Sequence, residues 1–277
     1  MIPPPIKLSS PATREFWEIS VAFEDEHLLA IEKPARMLTS PDRYDPNRPN
    51  LMRLLHAGIR DAKPWATARG LTYLANAHRL DFETSGILLL AKDKPSLIKV
   101  ASMFGSGQPI KHYVALVQGN PAEPQFEVDA PIAPHPRHTG RMQVDHHEGK
   151  KSRTQFEVLE SFRGYTLLRC RPLTGRTHQI RVHLRYRHLP IVGDELYLGK
   201  PLFLSSFKPN YRLKPGRVER PLIGSVALHA ERLELPHPVT GQPVIIESPW
   251  PKDLQVALKY LRQHASMEAA PNTVPSP

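Results

Sequence analysis

Apolar and polar residues alternate over many short segments of this chain, a period of two that predicts β-strands. The predicted strands lie in residues 18–35, where an acidic turn at 24–26 divides two of them, and in residues 88–92, 111–119, 152–162, 165–173, 226–235 and 242–249. Arg163 and Gly164 would form the turn of one hairpin, between the strands at 152–162 and 165–173. Residues 238–241 would form the turn of a second hairpin, between the strands at 226–235 and 242–249. The chain should therefore be rich in strands that pair with their neighbours in sequence.

Other segments space their apolar residues as amphipathic helices do. These helices are predicted in residues 50–62, 94–104, 174–190 and 251–264. Asn50 and Asp93 are suited to cap the first two at their N-termini. Gly105 or Gly107 would close the second helix, and Pro190 would end the third.

Strands in local hairpins, with few helices between them, favour the α+β class over a doubly wound sheet. We expect one catalytic domain over residues 16–264, with a mixed, mainly antiparallel central sheet flanked by helices and a basic cleft. Residues 1–15 predict a disordered leader and residues 265–277 a disordered tail. Residues 120–151 are rich in proline, histidine and basic side chains, which predicts loops with short edge strands.

The charge balance indicates the kind of partner. The chain of 277 residues has a formal net charge of +10, which favours nucleic acid or an anionic membrane surface. No apolar run approaches the roughly 20 residues of a membrane span, and the N-terminus lacks the apolar segment of a signal peptide. Cys170 is the one cysteine, so no intramolecular disulfide forms. We expect a cytoplasmic protein that does not associate with membranes.

The segment HRLDFETSGILLLAKD, residues 78–93, carries the strongest indication of chemistry. Asp81 lies between the basic pair His78 and Arg79 and a turn of small residues, and an apolar run follows at 87–90. An enzyme that acts on a nucleotide needs a reactive carboxylate, cations for phosphate and a rigid support. The segment supplies all three.

Three separate segments resemble the motifs of the RluA-type RNA pseudouridine synthases. They are HRLDFETSG at 78–86, KHYVAL at 111–116 and TGRTHQIRVHL at 174–184. With weaker matches, the resemblance extends over about residues 21–250. It implies an isomerase that converts specific uridines of ribosomal or transfer RNA to pseudouridine. We expect a monomer that needs neither a metal nor an organic cofactor.

The resemblance implies roles for individual residues. Asp81 is the catalytic carboxylate, and it could attack the base, attack the sugar carbon or assist elimination to a glycal. Arg181 is the cation that keeps this carboxylate ionised and oriented, and Tyr113 stacks on the uracil and moves a proton. The residues implied in substrate binding are Arg79, which enters the space left by the flipped nucleotide, Ile180, which packs beside the base, and His78, Thr84, Lys151 and Arg176.

Simpler interpretations exist for each residue taken alone. An aspartate before a Thr-Ser-Gly turn is often only a turn former, a tyrosine in a strand usually packs, and an arginine on a helix is usually solvated. Because the three motifs occur together, these interpretations are disfavoured. A non-catalytic RNA-binding protein on the same fold stays open as an alternative.

Two other kinds of site are disfavoured. His178 and His183 could suggest a metal, but they lie five residues apart and no third ligand is nearby, so hydrogen-bonding structural roles are expected. Asp81 and Glu83 could suggest a nucleoside or glycoside hydrolase. Such a hydrolase needs a second acid placed to activate a water, and none is convincing in this sequence, so this alternative is the less favoured one.

Two features depart from the family pattern. Few residues precede the first predicted strand, so target selection is expected in the catalytic domain and its loops. Arg36 stands where the family usually has glycine, so either Arg36 adopts a left-handed backbone, if that glycine does, or the loop differs here. The basic loops at 137–153 and 207–220 are candidate RNA contacts, and Phe207 and Tyr211 could stack on bases.

Overall fold

The computed structural model describes residues 4–10, 13–41, 48–214 and 216–267. Within these ranges the strands are β1 (Ile6–Ser10), β2 (Glu15–Ile19), β3 (Val21–Glu24), β4 (Leu28–Lys33), β5 (Ala75–Asn76), β6 (Ser85–Ala91), β7 (Ile110–Gln118), β8 (Gln125–Asp129), β9 (Ile132–Pro134), β10 (Met142–Val144), β11 (Arg153–Phe162), β12 (Tyr165–Pro172), β13 (Leu228–Pro236) and β14 (Pro243–Glu247). The helices are α1 (Leu51–Arg60), α2 (Pro64–Thr67), α3 (Lys94–Ser106), α4 (Gln179–Tyr186) and α5 (Lys252–His264). None of these helices is long and apolar enough to cross a membrane.

The central sheet has ten strands. Its main path runs β3-β4-β6-β13-β7-β12-β11-β8, with β5 beside β6 and β14 beside β13. Only β6 and β13 pair in parallel, and the other pairs of this sheet are antiparallel. The predicted α+β class with a mixed, mainly antiparallel sheet is confirmed, as are the hairpins β11-β12 and β13-β14.

Hydrophobic layers cover both faces of β4 and β6, because alternate residues of a strand point to opposite faces. Leu29 and Ile31 of β4 are buried in one cluster with α1 and the β1-β2 hairpin. Leu28 and Ala30 are buried in another cluster with α3 and β14. The largest cluster packs α4 and α5 on β7, β11 and β12. These layers fix β6, β7 and α4, which hold the three motifs.

Both N-cap predictions are confirmed. The side chain of Asn50 accepts a hydrogen bond from the amide of Arg53 at 3.0 Å. The side chain of Asp93 accepts one from the amide of Ser96 at 2.8 Å. Gly107 closes α3 with φ of 75°, in the left-handed region that helix C-termini favour.

The start of the third predicted helix is wrong. The pattern predicts a helix from residue 174, but α4 begins at Gln179. His178, before it, has a left-handed backbone with φ of 55°, through which an α-helix cannot continue. The side chain of Gln179 accepts hydrogen bonds from the amide of Arg176 and the hydroxyl of Thr174. Residues 174–178 therefore form a loop before α4 that these hydrogen bonds hold in place.

The expected disordered leader is wrong for Ile6–Ser10, which forms β1 and pairs with β2. Ile6 and Leu8 are buried in the cluster that contains α1, so the apolar alternation outweighs the neighbouring prolines. At the other end, Ala265 is buried and residue 266 forms a bridge with residue 162. Residues 268–277 of the expected tail lie outside the described residues.

Candidate active site

A cavity of about 270 Å³ opens where the three motifs meet: the loop before β6, strand β7 and the loop before α4. This volume is near the lower end of ligand pockets, roughly 300 Å³, and suits one planar base. The predicted site residues that line it are His78, Arg79, Asp81, Thr84, Tyr113, Arg176, Ile180 and Arg181. Lys151 does not line it; its side chain is exposed and its carbonyl accepts a hydrogen bond from Arg176 at 3.1 Å.

The backbone holds Asp81 from both sides. The amide of Thr84 donates to the carbonyl of Asp81 at 3.2 Å, closing a turn. The hydroxyl of Thr39 donates to the carbonyl of Leu80 at 3.0 Å, so the preceding residue is also fixed. None of these contacts uses the carboxylate of Asp81, which is left to face the cavity.

Gly86 allows the backbone at the start of β6 to pack closely against β13. Its φ is 109°, and a Cβ there would lie 2.3 Å from the carbonyl oxygen of Ala230 in β13. No other residue fits such a close backbone approach without displacing β13. The glycine of the first motif is therefore explained by the packing of β6 on β13.

Arg181 links two carboxylates in the wall of the cavity. Its Nε and Nη2 donate to the two oxygens of Asp194 at 2.7 and 2.8 Å, and its Nη1 lies 3.6 Å from Oδ2 of Asp81. Burial lowers the pKa of Arg181, but the hydrogen bonds and charge of Asp194, with the charge of Asp81, raise it by more. Asp194 thus orients a permanent cation toward Asp81.

His178 is the second group near Asp81. Its Nε2 lies 4.0 Å from Oδ2 of Asp81, and its Nδ1 lies 2.8 Å from the hydroxyl of Tyr197. That hydroxyl accepts the amide of Met142 at 3.0 Å, which leaves its own proton to donate to Nδ1. When the hydroxyl donates to Nδ1, the ring proton lies on Nε2, on the side of Asp81. Burial lowers the pKa of His178, so the ring is neutral at pH 7.

Tyr113 of β7 forms another part of the wall. Burial raises the pKa of Tyr113, and the charge of Asp81 raises it further. The phenol therefore stays protonated at neutral pH. In this state its ring can pack on a base and its hydroxyl can donate a hydrogen bond.

The side chain of His78 is fixed by contacts within the protein. Its Nε2 accepts the amide of Leu89 at 3.0 Å, and its ring stacks on Phe104 with centroids 4.6 Å apart. Burial lowers the pKa of His78 to about 3, with a smaller effect of Lys111 in the same direction. The ring is consequently a neutral part of the cavity wall.

Protein stability is expected to fall as the pH drops from 6.5 toward 4. His78, with a folded pKa of about 3, and His229, lowered by burial to about 4, are neutral when folded but titrate near 6.5 when unfolded. The unfolded state then binds more protons, so the free energy of unfolding decreases as the pH falls. Urea denaturation across this range checks the trend, and His78→Gln should flatten it. Equal pH dependence in both proteins would contradict the assignment.

Three residues that contribute to the site lie outside the three motifs. Asp194, with Gly193, is one of the weaker matches to the family pattern, but nothing in its local sequence signals a partner on α4. Tyr197 carries a hydroxyl whose contacts are all distant in sequence. Buried Lys33 donates to the carbonyls of Pro34 and Met37 at 2.8 Å and ties this early loop together. Burial lowers the pKa of Lys33 to about 7, against the opposing effect of Asp81 and Glu83.

The geometry also bears on the two disfavoured kinds of site. His183 is buried with Nδ1 2.8 Å from the hydroxyl of Thr154 and Nε2 2.9 Å from the carbonyl of Ala130, which confirms its structural role. The described ranges contain no group of three or more histidine, cysteine or acidic residues placed to hold a metal. Asp81 lines this cavity, whereas Glu83 lines a different one. The two carboxylates do not face one another across a substrate.

Comparison with known proteins places the chain in a family. Residues 27–186 match the RNA pseudouridylate synthase family. The chain is 39% identical over 252 residues to a ribosomal large subunit pseudouridine synthase D of Nitrosomonas europaea, covering 90% of this chain and 67% of that protein. It is 34% identical over 257 residues to the protein of the same name from Xanthomonas campestris pv. campestris, covering 91% and 72%.

A solved structure shows the same fold. It is described as human RNA pseudouridylate synthase domain containing 4, with a TM-score of 0.65 and 24% identity, over 89% of this chain and 94% of that one. The family resemblance predicted from the three motifs is thus confirmed. Both the family match and the bacterial relatives lead to one conclusion: the chain belongs to the RNA pseudouridylate synthases, a family of isomerases.

Proposed function

We propose that this protein converts uridine to pseudouridine in the RNA of the large ribosomal subunit, with Asp81 as the catalytic carboxylate. The observation that carries the proposal is the position of Asp81, which faces a base-sized cavity beside Arg181 and Tyr113. The names of the bacterial relatives support ribosomal over transfer RNA as the substrate. We place the protein in the cytoplasm, acting as a monomer.

The reaction asks little of the protein beyond a placed carboxylate. The bond between N1 of uracil and C1′ of ribose breaks, the base turns, and C5 bonds to C1′. The proton on C5 leaves and N1 gains one, so no electrons are gained or lost. A carboxylate acting at the base, at C1′ or in elimination to a glycal serves each route.

Each wall residue has a task in this scheme. Arg181 directs the carboxylate of Asp81 toward the substrate, since its other donors are fixed on Asp194. The neutral ring of Tyr113 packs on the uracil, and Ile180 lies beside it. Arg79 is exposed at the rim, where it would fill the gap left by a flipped nucleotide.

Tritium release tests the activity directly. Large-subunit ribosomal RNA transcribed in vitro with tritium at C5 of uridine loses that tritium to water when pseudouridine forms. The purified chain should release it and leave pseudouridine at discrete positions. Binding of the RNA without release would favour the alternative of a non-catalytic RNA-binding protein.

The basic segment 207–220 is expected to supply RNA affinity. Arg212, Lys214 and Arg217 in it are exposed. Replacing these three with serine should reduce the dependence of log affinity on log salt by about 2 to 3 units, since each phosphate contact contributes about 0.9. Filter binding over a salt series measures this slope.

A matched variant controls for the loss of charge. Lys7, Lys252 and Lys259 are exposed and border neither cavity at the site. Their replacement with serine removes the same charge and should leave the slope near that of the wild type. If both triple variants have the same salt dependence of binding, the segment 207–220 is an ordinary solvated loop that does not contact RNA. Phe207 is partly buried against the core, and its stacking on bases stays a prediction.

A further inference from the structure

A second cavity, of about 430 Å³, adjoins the first and shares two wall residues with it, His178 and Arg181. The volume lies within the range of ligand sites, roughly 300 to 1,000 Å³. The proposed chemistry at Asp81 makes no use of this space, and Asp81 does not line it. A polymer bound with one unit in the first cavity would place an adjacent unit here.

Arg36 borders this second cavity. Its backbone is left-handed, with φ of 62°, a conformation that glycine adopts freely and arginine does not. Its side chain is exposed, and within the described part of the chain it has no hydrogen bond or ion pair. A strained residue with an unpaired charge at the edge of a site indicates a ligand contact. A phosphate is the partner that a free guanidinium fits best.

The rest of the wall is not suited to a bare phosphate. Glu83 and Glu195 also border the cavity, and carboxylates repel an isolated anion. They accept hydrogen bonds, as the amino groups of adenine, guanine and cytosine require. Apolar surface from Phe82, Leu196 and Ile223 offers packing for a ring. The wall therefore combines a cation, acceptors and apolar area, the three features that recognise one nucleotide.

The surroundings place the cavity on an RNA path. Its wall includes Pro221 and residues 223–226, which directly follow the exposed basic segment ending at Arg220. A strand whose phosphates follow that segment would reach the second cavity before the first.

We propose that the second cavity binds the nucleotide adjacent to the target uridine, with Arg36 on its phosphate and Glu83 or Glu195 on the amino group of its base. This inference rests on the proposed function and extends it to target selection. Adenine, cytosine or guanine would then be preferred at the position next to the target, because uracil has no exocyclic amino group. The catalytic domain would then read its target at this position.

Arg36→Gly tests the phosphate contact without a loss of stability. Glycine relieves the left-handed backbone, so the thermal midpoint should equal or exceed that of the wild type. KM for a stem-loop that contains the mapped uridine should rise about tenfold, with a much smaller change in kcat, and the salt slope of binding should fall by about 1. Arg36→Lys, which keeps the charge, should restore most of the affinity.

Arg14→Gly is the matched control. Arg14 is also exposed and left-handed, with φ of 56°, but it borders neither cavity. The same substitution there relieves the same strain and removes the same charge. KM and the salt slope should stay at their wild-type values.

The base contact is tested with RNA. Two sets of stem-loops would vary the base on the 5′ side and on the 3′ side of the target uridine, with all four bases at each position. In one set only, KM for the uracil-containing stem-loop should be at least fivefold higher than for the other three bases. Combining Glu83→Gln with Glu195→Gln should shrink that difference. If the wild-type chain forms pseudouridine but Arg36→Gly behaves as Arg14→Gly does, or no neighbour preference exists, the second subsite is overturned alone. If the wild type forms no pseudouridine, both proposals fall.

Discussion

Replacing Asp81 with asparagine is expected to lower isomerisation by roughly three orders of magnitude or more. Asparagine keeps the shape of the side chain but has neither the charge nor the nucleophile. Folding and RNA affinity should stay close to wild type, because Arg181 retains both hydrogen bonds to Asp194 and the turn at residue 81 uses only its backbone. Single-turnover tritium release, filter binding and urea denaturation measure the three properties.

A matched substitution guards against a general effect of removing a carboxylate. Asp61 is exposed at the end of α1 and pairs with Arg60 at 2.9 Å, far in sequence from all three motifs. Asp61→Asn should keep full activity. Turnover by Asp81→Asn within tenfold of the wild type would sink the assignment of Asp81 as the catalytic group.

Replacing Arg181 with methionine should damage both activity and stability. The change removes the cation beside Asp81 and leaves Asp194, which is 1% exposed, buried without its partner. Loss of one member of a buried ion pair costs about 3 to 5 kcal/mol of unfolding free energy. Arg181→Lys should retain more activity, since lysine restores the charge but not the paired hydrogen bonds. Turnover and urea denaturation on the same samples give both effects.

A double variant separates catalysis from stability. Arg181→Met combined with Asp194→Asn removes the unpaired buried charge, so most of the lost stability should return. Activity should stay low, because Asp81 still lacks its cation. If the double variant is folded and turns over at the wild-type rate, Arg181 serves only to compensate the charge of Asp194.

Much of this site could be predicted because its chemistry is local in sequence. The caps Asn50 and Asp93 were predictable, since each bonds an amide three residues away. Asp81 and Arg181 were singled out by separate motifs, and the fold brings Nη1 of one to 3.6 Å from Oδ2 of the other. For Arg36 the sequence left two possibilities open, a left-handed backbone or a different loop, and the structure shows the left-handed backbone.

The parts that could not be predicted depend on contacts between distant segments. The closer partner of Arg181 is Asp194, and no pattern around residue 194 indicates an ion pair with α4. The role of Tyr197 likewise arises only when the β9-β10 hairpin brings Met142 to its hydroxyl. The start of α4 was misplaced because the apolar pattern does not reveal that His178 is left-handed.

Pseudouridine mapping in cells tests the central claim most directly. Large-subunit ribosomal RNA would be mapped from cells with the intact gene, from cells without it and from cells that carry only the Asp81→Asn form. At least one position should be pseudouridine in the first cells and unmodified uridine in the other two. An identical pseudouridine map in all three would contradict the claim that this chain, through Asp81, modifies that RNA.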